Sequence, residues 1–119
     1  MIKMTECVGF FSCCSVRLSN IVSFINKKKI LPTYVDSSEQ FTWYKNDKNK
    51  DKDIIFDYFK NYNDVVDVNI THPINYNHLH QYSHYSNLDY KCITPLIKKY
   101  FSPSIEINEI INNIEKNTI

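Results

Sequence analysis

Apolar residues alternate between two kinds of spacing along this chain, and the alternation constrains the fold more than any other feature. A short apolar run at residues 6–11, ECVGFF, is typical of a buried strand. After it the apolar residues recur at helical spacing, as Leu18, Ile21, Val22 and Ile25. Ser15 or Ser12 can cap this helix, and Pro32 ends it. The start of the chain therefore predicts a strand followed by a helix.

The same alternation continues through the middle of the chain. Residues 33–38, TYVDSS, predict a second strand that ends in a loop. A charged loop at residues 44–53 precedes a predicted helix, and Asp53 can cap its start. One face of this helix carries the apolar residues Ile55, Tyr58, Phe59 and Tyr62. Residues 64–70, DVVDVNI, predict a third strand. This order predicts an α/β fold, a small Rossmann-like three-layer domain with a short parallel sheet flanked by helices.

Two short helices are predicted at the C-terminal end, beyond a tyrosine-rich connection. Thr94 caps the first helix and Pro95 occupies its first turn, a favourable pairing. Ser104 caps the second helix, whose one face carries Ile107, Ile110, Ile111 and Ile114.

Length, charge and cysteine content limit the class of protein. The chain has 119 residues, enough for a single domain that spans 1–119. Its formal net charge of +1 provides no long-range field for nucleic acid or anionic lipid, so neither is an expected partner. No segment approaches the roughly 20 apolar residues that span a bilayer. The cysteines form no CxxC pair and no signal peptide is evident, which favours a reducing, cytoplasmic location.

The turn from the first predicted strand into the first predicted helix is the expected ligand site, because such folds bind ligands there. The small residues Ser12, Cys13, Cys14 and Ser15 would let a ligand approach the backbone. Arg17 offers donors for a carboxylate, a phosphate or sugar hydroxyls, and Asp36 stands where related folds hold ribose. The alternative for residues 12–17 is a capped strand-to-helix turn without a ligand, and the alternative for Asp36 is a residue that caps the following loop. Gly9 is the only glycine, so the dinucleotide fingerprint is absent and no NAD or FAD cofactor is expected.

Two further groups of residues have a chemical and a structural interpretation. Cys13 or Cys14 could serve as a nucleophile beside a base, but cysteines at such positions are more often small core residues. His78, His80 and His84 would share one face of an extended segment and could hold zinc. No Cys, Asp or Glu stands beside them at ligand spacing, so no metal is predicted.

Two stretches of the chain resemble a known family. Residues 9–45, GFFSCCSVRLSNIVSFINKKKILPTYVDSSEQFTWYK, resemble the start of glycosyltransferases encoded by large DNA viruses, which are similar to fucosyltransferases of the two-Rossmann-domain (GT-B) kind. Residues 90–116, YKCITPLIKKYFSPSIEINEIINNIEK, resemble the segment that leads from the first domain of those proteins toward the second. No catalytic motif lies inside either stretch.

The resemblance implies a function in two parts. The chain would be the acceptor-side module of a glycosyltransferase, facing a glycan or glycoprotein acceptor, and no catalytic residue is expected in it. A nucleotide-sugar donor would bind only with a second domain, so the module alone is expected to be inactive. The alternative is a non-enzymatic protein-interaction module, in which the C-terminal isoleucines meet a partner domain or a second copy of the chain.

Overall fold

Helices make up most of the regular structure. The computed structural model describes residues 2–3, 9–64, 69–70, 73–77 and 89–117. Within these ranges the elements are β1 (Ile2–Lys3), α1 (Phe10–Lys28), β2 (Val35–Asp36), α2 (Ile55–Tyr58), α3 (Tyr90–Tyr100) and α4 (Ile105–Lys116), with short 3₁₀ turns at Thr42–Tyr44 and Tyr62–Asp64.

The predicted Rossmann-like three-layer fold is wrong. The described residues contain two strands of two residues each, paired in parallel with Ile2 opposite Val35 and Lys3 opposite Asp36. A pairing this short cannot form the sheet that separates two helical layers. β2 does lie inside the predicted second strand. The predicted third strand at 64–70 falls largely outside the described residues.

Helix α1 begins far earlier than the sequence pattern predicted. Phe10 and Phe11 were assigned to a strand, but they form the first turn of α1, and Gly9 precedes them without any side-chain cap. The helical stripe extends back through Cys13 and Arg17, both fully buried, so the small residues around them belong to a packed helix rather than to a turn. Ser12 and Ser15 therefore do not cap α1.

Two left-handed residues shape the loops that follow α1, and neither is a glycine. Lys29 ends α1 with φ 62°, and its N–H donates to the carbonyl oxygen of Ile25 at 2.7 Å. Phe41 has φ 59° and its ring is fully buried. Side chains are disfavoured in this region of φ, so both positions carry backbone strain.

Among the described residues, the buried side chains form two clusters, and α1 contributes to both. The larger one joins α1 to α3 and includes the predicted stripe of α1, all of it buried: Leu18, Ile21, Val22 and Ile25, with Val35, Tyr62, Ile74, Ile93, Leu96 and Tyr100. The smaller one joins the N-terminal half of α1 to the segment before α2: Cys13, Phe41, Ile54 and Ile55. Buried apolar area of this kind is the main source of stability.

The predicted helix at 53–62 is shorter than expected. Asp53 accepts the N–H of Ile55 at 3.0 Å, which agrees with its predicted place at the helix start. However, α2 ends at Tyr58, and Phe59 is already extended. Phe59 pairs with Pro103 in an isolated antiparallel bridge, which draws the chain away from the helix axis.

The two C-terminal helices test two predicted caps, with opposite results. Thr94 is not a cap, because α3 begins earlier, directly after Asp89. The side chain of Asp89 accepts the N–H of Cys92, and Pro95 lies inside the helix. Ser104 is confirmed as the cap of α4, since its side chain accepts the N–H of Ile107 at 3.2 Å.

Candidate functional site

Arg17, a predicted ligand-binding residue, lies in the interior. Its Nε donates to Ser37 Oγ at 3.2 Å and its Nη1 donates to the carbonyl oxygen of Tyr100 at 3.5 Å. The guanidinium also lies 5.7 Å and 5.3 Å from the ring centroids of Tyr100 and Phe101. Among the described residues, Nη2 has no hydrogen-bond partner. Arg17 therefore links α1 to the loop after β2 and to the end of α3.

Asp53 extends this buried network. It accepts the backbone N–H of Ser37 at 2.8 Å, so Ser37 contacts Asp53 through its N–H and Arg17 through its hydroxyl. Burial lowers the pKa of Arg17, and the nearby carboxylate of Asp53 opposes that shift. The carboxylate thus favours the charged form of an arginine that water does not reach.

Three other predicted site residues lie within α1 or at the end of β2 and have structural surroundings. Ser12 is half-buried within α1. Cys13 is fully buried and its carbonyl oxygen accepts Gln40 Nε2 at 3.0 Å. Asp36 accepts the N–H of Ser38 at 2.9 Å, the geometry of a loop cap.

Cys14 and Ser15, the remaining two, line an apolar groove between α1 and α3. We call it the aromatic groove. Its cavity volume is about 370 Å³, within the usual size range of ligand pockets. Its apolar walls are Phe10, Phe11, Leu18, Phe59, Ile97 and Phe101.

The polar atoms of the aromatic groove come from Cys14, Ser15 and Tyr76. Ser15 Oγ and Tyr76 Oη are joined by a hydrogen bond of 2.6 Å, in which either hydroxyl can donate. Burial raises the pKa of the Cys14 thiol from 9.0 to about 12; Arg17 lowers it and Cys13 raises it to smaller extents. The thiol is therefore protonated at neutral pH, which makes it a poor nucleophile.

A second apolar surface lies on α4, and we call it the isoleucine face: Ile107, Ile110, Ile111 and Ile114. Ile110, Ile111 and Ile114 are 54%, 38% and 61% exposed. Large aliphatic side chains exposed in a row are typical of a binding surface rather than of a helix turned toward its own core.

The described residues provide no support for a metal site or for a membrane-spanning helix. His78, His80 and His84 lie outside them, so the zinc alternative, which the sequence did not favour, is not tested. Within the described ranges, no three His, Cys, Asp or Glu side chains are placed to hold a metal ion. In the same ranges, no helix has the length and apolar character needed to cross a membrane. Cys13, Cys14 and Cys92 are present as thiols.

Comparison with known proteins does not add a family or a function. No family model, no curated protein and no solved structure matches the chain. The resemblance to viral glycosyltransferases therefore stays a prediction, and any function has to be argued from the surfaces described above.

Sequence reasoning missed the aromatic groove although it named two of its residues. The groove forms where α1 meets Phe59, Tyr76 and Phe101, which are distant in sequence. The local signal was the pair Phe10 and Phe11 directly before the small residues, and it was assigned to a strand instead of to the first turn of a helix.

Proposed function

We propose that this chain is a protein-interaction module that binds an amphipathic helix of a partner protein on the isoleucine face of α4. The observation that carries the proposal is the exposure of Ile110, Ile111 and Ile114 along one side of a capped helix. Covering these side chains would remove apolar surface from water and favour association.

The spacing of the isoleucines favours a helical partner. Residues three, four and seven positions apart form a continuous stripe along a helix. A stripe of this kind packs against the side chains of a second helix, as in helix-in-groove recognition and in paired helices. The isoleucine face therefore suits a partner helix better than an extended peptide, which needs an open strand edge.

The charged residues of α4 indicate which charges a partner helix should carry. Glu106 and Glu115 lie about a quarter of a turn to either side of the isoleucine face, as the helical repeat of 3.6 residues requires, and both are exposed. Lys116 lies on the far side of α4. A partner helix with Lys or Arg beside its apolar stripe would match these flanks, whereas a second copy of α4 would bring like charges together.

The base of α4 is fixed before any partner binds. Ser104 N donates to the carbonyl oxygen of Tyr58 at 2.9 Å, and Ser104 Oγ donates to that of Asp57 at 3.0 Å. Lys60 N donates to the carbonyl oxygen of Ser102 at 2.8 Å. A helix held in this way loses less conformational freedom on binding, which favours affinity.

The test uses two short synthetic helical peptides with the same leucine stripe, one flanked by Lys and the other by Glu. Fluorescence anisotropy is expected to show binding of the Lys peptide about tenfold tighter than that of the Glu peptide at low salt. The double variant Ile110→Asn and Ile114→Asn is expected to bind the Lys peptide at least about tenfold more weakly than the parent chain does.

Ile30→Asn is the matched control, because Ile30 is 56% exposed and lies just beyond α1. It should leave peptide binding unchanged. Equal affinity for the two peptides, or equal affinity of the double variant, would contradict the proposal. Dimerisation through α4, seen by analytical ultracentrifugation and abolished by the double variant, would replace the partner helix with a second copy of this chain.

A further inference from the structure

The aromatic groove has the composition of a small-molecule site. Phenylalanine rings from three separate parts of the chain, at positions 10, 59 and 101, converge on it. The rings of Phe10 and Phe59 lie 6.1 Å apart, and those of Phe59 and Phe101 lie 5.3 Å apart. Rings at these separations contact one another, so they form a continuous aromatic wall whose outward faces and edges can pack against a further ring.

The groove carries no formal charge on its described lining. Its polar side-chain atoms are two hydroxyl oxygens and one thiol, from Ser15, Tyr76 and Cys14. The guanidinium of Arg17 lies against the ring of Phe101, but Arg17 is fully buried and does not line the groove. An ionic ligand would therefore lose its hydration here without contacting an opposite charge, and that loss is costly. A neutral ligand has no such penalty, so the lining favours a neutral molecule.

The rim of the groove is also apolar. Phe11 is 83% exposed and Ile97 is 44% exposed, and both line the same opening. A ligand seated in the groove would cover apolar surface on both sides of its mouth, which adds to the free energy of binding.

We propose that the aromatic groove binds a small, neutral molecule of one or two rings, held by the phenylalanine walls. The size of the cavity, the uncharged lining and the exposed apolar rim together define this chemical class. A polar substituent on the ring would face the hydroxyl pair of Ser15 and Tyr76. This site is separate from the isoleucine face and its occupant is independent of any partner helix.

The test uses 2-naphthol as the neutral probe and 2-naphthalenesulfonate as its charged counterpart, both followed by their own fluorescence. The full chain is expected to bind 2-naphthol saturably, and at least about tenfold more tightly than the sulfonate. Ile97→Glu places a charge at the rim and is expected to weaken 2-naphthol binding by about tenfold or more.

Ile30→Glu is the matched control, since it places the same charge on another exposed isoleucine, and it should bind 2-naphthol as the parent chain does. Circular dichroism is used to check that both variants stay folded. Absence of saturable binding, equal binding of the sulfonate, or equal binding by a folded Ile97→Glu variant would each overturn the proposal. The Ile110→Asn and Ile114→Asn variant should keep the naphthol site, so the two proposals fail separately.

Discussion

The aromatic groove and the isoleucine face are both apolar surfaces, but the chain builds them in opposite ways. The groove is concave, aromatic and assembled from distant segments, and one of its rings, Phe101, packs against the buried Arg17. The isoleucine face is convex, aliphatic and contained in one helix. A concave aromatic surface suits a small ring, whereas a convex aliphatic stripe suits another helix. Apolar exposure alone therefore does not define a function, because shape and supporting contacts decide what fits.

The largest effect is expected at Arg17, which supports the groove and does not contact the isoleucine face. Arg17→Ala is expected to lower the free energy of unfolding by about 3 kcal/mol, because it leaves a cavity and removes two buried hydrogen bonds. The groove should be lost with it, since the guanidinium lies against the ring of Phe101. Urea unfolding followed by circular dichroism measures the change. Arg17→Met, which keeps more of the volume, should cost less, and equal stability of the parent and Arg17→Ala would contradict the role of the network.

Thiol reactivity distinguishes the interior of the groove from the surface of α4. With its pKa raised to about 12 by burial, Cys14 has about a thousandfold less thiolate near pH 8 than an ordinary thiol. Its greater intrinsic nucleophilicity offsets part of this, so alkylation should be roughly fiftyfold slower than at a cysteine introduced by Ile110→Cys.

Iodoacetamide labelling read by peptide mass spectrometry gives both rates in the same Ile110→Cys variant. Raising the pH should speed labelling of Cys14 by about tenfold per pH unit up to the pKa of its thiol, after labelling on α4 has levelled off. Equal rates near pH 8 would show that burial does not suppress the Cys14 thiolate.

The end of α1 lies away from both surfaces, so a substitution there should change stability without changing either binding activity. Lys29→Gly removes the backbone strain of a side chain at positive φ at the end of α1. It is expected to raise the free energy of unfolding by up to about 1 kcal/mol. Lys28→Gly, one residue earlier and inside the helix, should lower it by about 1 kcal/mol. Thermal melting measures both. Binding of 2-naphthol and of the Lys peptide should stay unchanged in both variants, and a stabilising Lys28→Gly would contradict the assigned helix end.

The smallest effect is expected at the isoleucine face itself. Ile110→Asn should change the free energy of unfolding by less than about 0.5 kcal/mol, because this side chain is largely exposed. Urea unfolding is again the measurement, with Ile93→Asn as the buried counterpart, which should be strongly destabilising. A large loss of stability in Ile110→Asn would mean that this isoleucine supports the core rather than a partner.

Much of the helical pattern was predictable from the sequence. The stripe from Leu18 to Ile25 is buried as its spacing indicated, and Ser104 caps α4 as expected. The lysines at positions 27 and 28 lie in the last turn of α1, where cations meet the negative end of the helix dipole. These features depend on residues within a turn or two of one another, where periodicity and capping are informative.

The fold class was not predictable in the same way. The run at 6–11 was assigned to a strand, but Phe10 and Phe11 are helical, because Cys13 and Arg17 complete a buried stripe that hydropathy alone does not reveal. The pair Thr94 and Pro95 has the form of a helix start, yet Asp89 caps α3 earlier. The Thr94–Pro95 pair predicts a helix start from neighbouring residues only, whereas the contacts between α3 and the rest of the core favour a longer helix.

Phe59 contributes to both surfaces at once. Its ring forms part of the groove wall, while its backbone pairs with Pro103, immediately before the serine that caps α4. The groove wall and the anchor of the C-terminal helix therefore depend on one residue, so a substitution at Phe59 is expected to disturb both surfaces, whereas substitutions at Ile97 or Ile110 should disturb one surface each.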